Sequence, residues 1–213
     1  MIPKPTWLYR IMDVANLEVI LQRGGIHAPR ATPADGLRYR VIHHQSIQTQ
    51  RADKPVPCGP GGVIHDYVPF YFAARSPMLY AIYKGNVQDY DKGQGAIIYL
   101  VSDAQTVAFS GAGFVFTDGH AIVAMSEFFD DLSRLDTVDW SVMRGKMWND
   151  TDRCPDRKRR RQAEFMIHRF CPWPLIRGIA VIDNRIKRQV EGVLDRFPRL
   201  HRPIVRVKRG WYY

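Results

Sequence analysis

Residues 157–168 read RKRRRQAEFMIH, so five consecutive cations give way to an apolar alternation near a single acid, Glu164. Side chains of a β-strand point alternately to its two faces. With that period one face carries Ala163, Phe165 and Ile167, and the other carries Glu164, Met166 and His168. A buried apolar face would therefore turn the Glu164 carboxylate the opposite way, into a cleft. An equally good interpretation of this stretch alone is a solvated charge run that ends at an ordinary strand.

The composition describes a folded protein that favours a polyanionic partner. The 213 residues suit one domain over 1–213, and 46% hydrophobic with 24% charged residues is ordinary globular composition. Thirty-one Lys and Arg against 21 acids leave a formal charge of +10. Excess positive charge attracts polyanions, so nucleic acid is the first candidate partner. A solubility effect with no partner is the alternative explanation.

Cysteine usage indicates a reducing compartment, and hydropathy gives no sign of a signal peptide or of a membrane-spanning segment. The three cysteines, Cys58, Cys154 and Cys171, form no CxxC pair, which disfavours both a disulfide framework and a zinc site. The first residues, MIPKP, lack the apolar region of a signal peptide, and no apolar run approaches the roughly 18 residues that span a bilayer. We expect a soluble, cytoplasmic protein with no membrane partner.

The hydrophobic pattern predicts strands and helices interspersed along the chain. Short apolar or aromatic runs predict strands at 7–11, 68–72, 96–101, 114–116, 178–182 and 203–208, besides the strand of Glu164. Helical spacing and capping residues predict helices that begin at Asp13 and Pro77, and helices over 46–53, 127–135 and 186–197. Because regular βαβ spacing is missing, this order favours an α+β fold over a doubly wound sheet.

Two features outside the Glu164 strand could carry chemistry. The segment 28–62 is long, rich in Pro and Gly, and cationic, and such loops are more often functional than merely connecting. Its cations and imidazoles include Arg30, Arg38, Arg40, His43, His44 and Arg51. The chain also holds 10 Tyr, 10 Phe and 5 Trp, which either fill the core or stack on flat rings.

Familiar catalytic and metal-binding signatures do not occur in the sequence. It contains no GxGxxG, GxxxxGK[ST], HExxH or GxSxG motif. The adjacent pairs His43-His44 and His65-Asp66 point apart on an extended chain and have no third ligand at a helpful spacing. We therefore expect no metal site.

Several motifs together resemble the DarT family of DNA ADP-ribosyltransferase toxins. In chain order they are LYRI at 8–11, NLxxILxxG at 16–24, HDYVPFYFxxRSPM at 65–78, DGHA at 118–121, KRxxQAEF at 158–165 and WYY at 211–213. The resemblance implies an ADP-ribosyltransferase-like fold with mixed, split sheets flanked by helices. It also implies NAD as a substrate and transfer of ADP-ribose to a base in single-stranded DNA, usually as the toxin of a toxin–antitoxin pair.

The resemblance also assigns residues. Glu164 is implied as catalytic, and Arg51 matches by position an arginine that takes part in catalysis. Contacts with NAD are implied for Arg10, Ile11, Met12, Asn16, Leu17, Arg51, Tyr71, Arg75 and His120. Segment 28–62 corresponds to the NAD-binding loop region, and about 120–164 to the substrate-recognising loop region. Many relatives have Tyr-His-Ile-Thr in the first strand, so Arg10 here replaces a histidine that ordinarily helps to hold the NAD ribose.

The chemistry of NAD cleavage agrees with these roles. Breaking the nicotinamide glycosidic bond builds positive charge on the ribose. The reaction therefore needs at least one fixed carboxylate to stabilise that charge, and Glu164 can supply it. Arg51 is a poor base at its ordinary pKa and is interpreted as orienting or electrostatic. The residues predicted to bind DNA are Arg157, Lys158, Arg159, Arg160, Arg161 and Trp148.

Other interpretations remain open at this point. Related folds serve transferases with different acceptors, so RNA or protein could be modified instead of DNA. A non-catalytic nucleic-acid-binding module explains the charge and the aromatics but gives no reason for Glu164.

The resemblance further implies a macrodomain-containing antitoxin as a partner, and we expect a monomer. We also expect Glu164→Ala to leave folding largely intact.

Overall fold

Ten β-strands organise the described part of the computed structural model, which covers residues 1–43 and 45–213. They are β1 (Trp7–Asp13), β2 (Gly25–His27), β3 (Tyr67–Tyr71), β4 (Ile97–Asp103), β5 (Phe114–Thr117), β6 (Phe128–Phe129), β7 (Glu164–His168), β8 (Phe170–Pro172), β9 (Gly178–Val181) and β10 (Ile204–Val207). Eight form one sheet in the order β10-β9-β4-β1-β3-β7-β5-β6, and β2 pairs with β8. Neighbouring strands run antiparallel except β9 and β10, which are parallel.

The large sheet splits between β1 and β3. β1 pairs with β4 along its whole length, but its pairing with β3 is limited to Tyr9 opposite Tyr71. Beyond that point a side chain rather than the backbone bridges the two strands, since Arg10 Nη1 donates to the Pro69 carbonyl at 2.9 Å. The two halves of the sheet therefore leave an opening between them.

Seven α-helices flank the sheets in the described residues. They are α1 (Asn16–Gln22), α2 (Gln45–Asp53), α3 (Pro77–Tyr83), α4 (Ala104–Phe109), α5 (Trp140–Arg144), α6 (Arg157–Arg161) and α7 (Asn184–Asp195). Ile98 and Leu100 of β4 belong to the main core with α1 and α7, whereas Tyr99 and Val101 belong to a second core with α3. Because these residues alternate along one strand, the two cores lie on opposite faces of the sheet. None of these helices has the length and hydropathy that crossing a membrane requires.

The alternation predicted for the strand of Glu164 is confirmed. Phe165 and Ile167 of β7 belong to the main core, and Met166 belongs to a smaller cluster on the other face. β7 lies between β3 and β5, so neither of its edges is free. Glu164 is the first residue of this strand.

Most of the predicted elements are confirmed. The strand predictions match β1, β3, β4, β5, β7, β9 and β10, and the helices match α2, α3 and α7. The helix predicted over 127–135 is wrong. Phe128–Phe129 instead forms β6, whose Phe129 ring stacks on Phe116 with centroids 5.3 Å apart, and a 3-10 turn, Leu132–Thr137, follows. Burial of the Phe129 ring against the sheet therefore favours a strand over a helix in this segment.

Asp13 is not the cap of the first helix. It is the last residue of β1, and its carboxylate accepts from the Ala15 N–H at 2.8 Å and the Tyr90 hydroxyl at 2.9 Å. The helix begins later, at Asn16. Short elements such as α4 and the β2–β8 sheet have no counterpart in the sequence-based prediction, because three to six residues give too little periodicity.

Candidate active site

Glu164 lies at the edge of the opening between the two halves of the sheet. It stands opposite Tyr71 of β3 and is only 3% exposed. Its backbone N–H donates to Thr117 Oγ1 at 3.1 Å, and the Thr117 hydroxyl in turn donates to the Gly119 carbonyl at 2.6 Å. The neighbouring strand and the turn after it therefore fix the residue in place.

A bidentate ion pair joins Glu164 to Arg51, which lies 113 positions earlier in the chain. Arg51 Nη1 donates to Oε1 at 2.9 Å, and Nη2 donates to Oε2 at 2.8 Å. Both side chains are buried. Arg51 is the one buried residue of α2, whose other residues are exposed or half-buried. The pair therefore attaches α2 to the sheet.

Each member of this pair holds the other in its ionised form. Burial alone would raise the pKa of Glu164, but the charge and hydrogen bonds of Arg51 outweigh burial and hold that pKa below its ordinary value. Burial also acts to lower the pKa of Arg51, but the carboxylate reverses that effect and the pKa is raised. Arg51 is thus a permanent cation, which supports an orienting role rather than that of a base.

Among the groups that line the opening, His120 and Tyr71 interact electrostatically with Glu164. Burial lowers the pKa of His120 and raises the pKa of Tyr71. At neutral pH the imidazole is therefore uncharged and able to accept a proton, while the phenol keeps its proton.

The opening leads into a cleft of about 550 Å³. Among the described residues that line it, Glu164 is the sole acid, whereas Arg10, Arg40, Arg51 and Lys158 are cations. The volume is within the range of about 300–1,000 Å³ that small-molecule and cofactor sites occupy. A ligand with phosphate groups and a reactive centre beside one carboxylate matches this distribution of charge.

Most of the predicted NAD-contacting residues meet in this cleft. Those that line it are Arg10, Ile11, Met12, Asn16, Arg51, Tyr71 and His120. The other two predicted residues, Leu17 and Arg75, do not line the cleft. Leu17 is completely buried in the main core, because one step along a helix turns a side chain by about 100° away from Asn16. Arg75 instead places its guanidinium over the Tyr213 ring, 5.3 Å from the centroid.

Asn16 holds the loop that carries Arg40. Its side-chain amide donates to the Arg40 carbonyl at 2.9 Å and accepts from the Arg40 N–H at 2.6 Å. Sequence reasoning missed this pairing, and it also missed Thr117 behind Glu164. Neither contact has a local signal, because each joins residues that are far apart in the chain.

The basic run forms α6, and three of its five cations are engaged within the protein. Arg159 pairs with Asp118 at 3.1 Å and Asp156 at 2.8 Å, and Arg160 pairs with Asp139 at 2.5 Å. Arg157 and Lys158 form no ion pair with the described residues.

Arg161 departs furthest from the DNA-binding prediction, since it is only 3% exposed. Its guanidinium donates at 2.5–2.9 Å to the carbonyls of Arg75, Val142, Met143 and Gly145. It therefore caps the C-terminal end of α5 and ties it to the segment before α3. A side chain held by four carbonyls is structural and does not face a DNA strand.

The described residues contain no group of three or more His, Cys, Asp and Glu side chains that could hold a metal ion. One member of the pair considered in the sequence, His44, lies outside the described residues. His65 is 3.1 Å from the Gln48 side-chain oxygen. The three cysteines are free thiols.

One ionised carboxylate on the wall of a cationic cleft indicates the class of reaction. Ordinary glycosidases use two carboxylates, one of which protonates the leaving group. Nicotinamide leaves NAD as a neutral pyridine and needs no proton, so one carboxylate that stabilises positive charge on the ribose is sufficient. Together with the split sheet, this site agrees with the ADP-ribosyltransferase class that the sequence resemblance implies.

Comparison with known proteins agrees with this class. Residues 9–213 match the family described as DarT, ssDNA thymidine ADP-ribosyltransferase. A DNA ADP-ribosyl transferase of Thermus aquaticus is 45% identical over 211 residues, 99% of this chain and 90% of that protein. The structure of Thermus sp. 2.9 DarT in complex with ADP-ribosylated ssDNA superposes with a TM-score of 0.93 at 41% identity, over 99% of this chain and 98% of the other. The same protein in complex with NAD+ gives a TM-score of 0.89 at 39% identity, over 100% of both chains.

The chain belongs to the DarT family of single-stranded-DNA ADP-ribosyltransferases. The family resemblance seen in the sequence, the fold class, the enzyme class and NAD as the substrate are confirmed.

Proposed function

We propose that this chain binds NAD in the cleft and transfers its ADP-ribose to thymidine in single-stranded DNA, with release of nicotinamide. The buried Arg51–Glu164 pair carries the proposal, because it presents one fixed, ionised carboxylate beside a cationic cleft. The family match and relatives solved with NAD+ and with ADP-ribosylated ssDNA support it. RNA or protein as the acceptor, and a non-catalytic module, have no comparable support.

In the proposed reaction the ribose carbon loses nicotinamide before the new bond is complete. The glycosidic bond breaks with its electron pair moving to the pyridine nitrogen, which becomes neutral. Glu164 stabilises the positive charge that develops on the ribose, and Arg51 keeps that carboxylate ionised and oriented. Arg10 and Arg40 supply positive charge for the pyrophosphate.

The thymine completes the transfer by donating an electron pair to the ribose carbon and losing the proton of its ring nitrogen. Arg51 cannot take this proton because its pKa is raised. His120 is a neutral imidazole in the cleft, so we assign it the role of proton acceptor. Lys158, which lines the cleft, and its neighbour Arg157 supply positive charge for the DNA backbone.

Incubation with labelled NAD and separate pools of single-stranded DNA, duplex DNA, RNA and protein tests the proposal. We expect label only in single-stranded DNA, together with an equal amount of released nicotinamide. Glu164→Gln should abolish both signals, while Glu191→Gln on α7 serves as the matched control and should retain them. Label in RNA or protein, or full transfer by Glu164→Gln, would refute the assignment.

We extend the proposal to the biological setting that the family resemblance implies. The chain acts as one domain, as a monomeric toxin in the cytoplasm, where NAD and DNA are both available. A macrodomain-containing antitoxin neutralises it. Expression in a bacterial host should stop growth, and co-expression of a macrodomain that removes ADP-ribose from DNA should restore it. Equal toxicity of the wild type and Glu164→Gln would contradict this role.

A further inference from the structure

Four aromatic rings from three distant segments meet on the face of α3 that does not line the cleft. Tyr80 lies against Tyr83, Trp148 and Tyr213 with ring centroids 6.2, 5.5 and 5.1 Å away. Tyr83 also stacks on Tyr213 at 6.0 Å with 26° between the ring planes. These four residues are called the aromatic platform below.

Hydrogen bonds hold the platform in place and satisfy its buried polar atoms. The Trp148 indole N–H donates to the Tyr213 hydroxyl at 2.6 Å, and that hydroxyl donates to the Ser76 carbonyl at 3.3 Å. The Tyr213 backbone N–H donates to the Gln94 side chain at 3.0 Å. The arrangement leaves Tyr83 47% exposed. A preformed aromatic surface of this kind binds flat rings without the free-energy cost of ordering its side chains.

Positive charge surrounds these rings. Lys84 Nζ lies over Tyr80 at 5.6 Å and over Tyr83 at 5.4 Å, and the Arg75 guanidinium lies over Tyr213. Neither cation forms an ion pair with a carboxylate of the described residues. Lys84 is exposed, whereas Arg75 is half-buried and its buried Nε has no hydrogen-bond partner within them. Rings interleaved with unpaired cations are what a single-stranded nucleic acid needs, because bases stack and phosphates are neutralised.

The platform adjoins the cleft on two sides. Pro77, Met78 and Ala81 of α3 line the cleft, and the platform lies on the next face of the same helix. Trp148 belongs to the segment that leads into α6, where Lys158 also lines the cleft. A DNA strand that leaves the cleft across α3 would therefore meet the platform.

We propose that the aromatic platform binds the part of the single-stranded DNA substrate that flanks the modified thymidine. Bases stack on Tyr83, and Lys84 and Arg75 contact phosphates. This inference rests on the proposed function and adds a second binding surface outside the catalytic cleft. Stacking tolerates any base, so the platform raises affinity for longer strands without reading their sequence.

Fluorescence anisotropy tests the platform by measuring the affinity of the protein for single-stranded oligonucleotides. These oligonucleotides are about 4 to about 20 nucleotides long, and each contains one thymidine. For Tyr83→Ala we expect the loss of affinity to grow with length and to reach about 10-fold at the longest strand. Tyr83→Phe keeps the ring and should restore most of this affinity. Lys84→Ala should lower the dependence of log affinity on log salt by about one. Phe109→Ala is the matched control, since Phe109 of α4 is 95% exposed and lies outside the platform.

Wild-type affinity at every length in both Tyr83→Ala and Lys84→Ala would overturn the proposal. So would an equal loss at all lengths, which would indicate damage to the cleft rather than to a second surface. ADP-ribosyl transfer by the wild type, measured on the same oligonucleotides, separates the two inferences. Absence of transfer to every strand contradicts the proposed function, whereas normal transfer with unaltered length dependence in the variants contradicts the platform alone.

Discussion

Replacing Glu164 by Gln tests the central ion pair. The change keeps the shape of the side chain but leaves the buried Arg51 guanidinium without its countercharge. Breaking a buried ion pair by removing one partner costs about 3–5 kcal/mol. In a protein of this size each kcal/mol lowers Tm by about 2–4 °C, so Tm should fall by about 6–20 °C. The burial of the pair therefore predicts a larger cost in stability than the sequence-based expectation that Glu164→Ala leaves folding largely intact, and the measured Tm decides between the two.

The double variant Arg51→Met/Glu164→Gln separates stability from catalysis. Removing both charges leaves no unpaired ion, so at least half of the lost unfolding free energy should return. Transfer of ADP-ribose should not return, because the carboxylate is still missing. We expect the turnover number to remain at least about 10³-fold below that of the wild type.

Urea denaturation of the wild type, both single variants and the double variant measures the coupling. The control is the same cycle on Arg202 and Asp195, an exposed pair 2.7 Å apart, for which we expect less than about 1 kcal/mol. Additive losses in the Arg51 and Glu164 variants would refute the claim that the two residues form one buried electrostatic unit. Recovery of transfer in the double variant would refute the catalytic role of Glu164.

Three further predictions follow from the site and from α6. Arg161→Met leaves carbonyls of α5 unpaired and should lower the unfolding free energy by about 3 kcal/mol, against less than about 0.5 kcal/mol for Arg157→Met, measured by urea denaturation. Lys158→Ala should reduce the slope of log affinity for single-stranded DNA against log salt by about one, measured by titration at several salt concentrations. The pKa of Glu164 is lower in the folded state, so its stabilisation is complete above about pH 4.3 and is lost as pH falls through the folded pKa. The stability advantage of the wild type over Glu164→Gln should therefore shrink during acid titration, and an advantage that grows on acidification would contradict the lowered pKa.

The sequence predicts the elements that bear strong local patterns. The alternation around Phe165 and the apolar run of β4 are local and period-two, and both become buried strands. Glu164 and Arg51 are identified by family motif and position. The ion pair between them could not be predicted from the sequence, because a contact across 113 positions depends on how α2 docks on the sheet.

The errors share a physical cause, which is that tertiary contacts decide the environment of a side chain. Five adjacent cations give no local sign that Arg161 is buried, since its partners are carbonyls at the end of α5. The motif predicts an NAD contact for both Asn16 and Leu17, but a helix turns adjacent side chains to different faces, and Leu17 lies in the main core. A motif therefore predicts which turn of a helix borders the cleft, but it does not predict which side chain of that turn points into the cleft.

The burial pattern of α2 links catalysis to binding. Arg51 is the one residue of that helix buried in the protein, so the contact that keeps Glu164 ionised is also a main contact that holds α2 against the cleft. Ile47 and Gln48 of the same helix line the cleft. Loss of Arg51 should consequently weaken NAD binding as well as transfer, because the wall of the cleft moves when its anchor is removed. A purely orienting arginine would change turnover alone, and comparison of NAD affinity with turnover in Arg51→Met distinguishes the two.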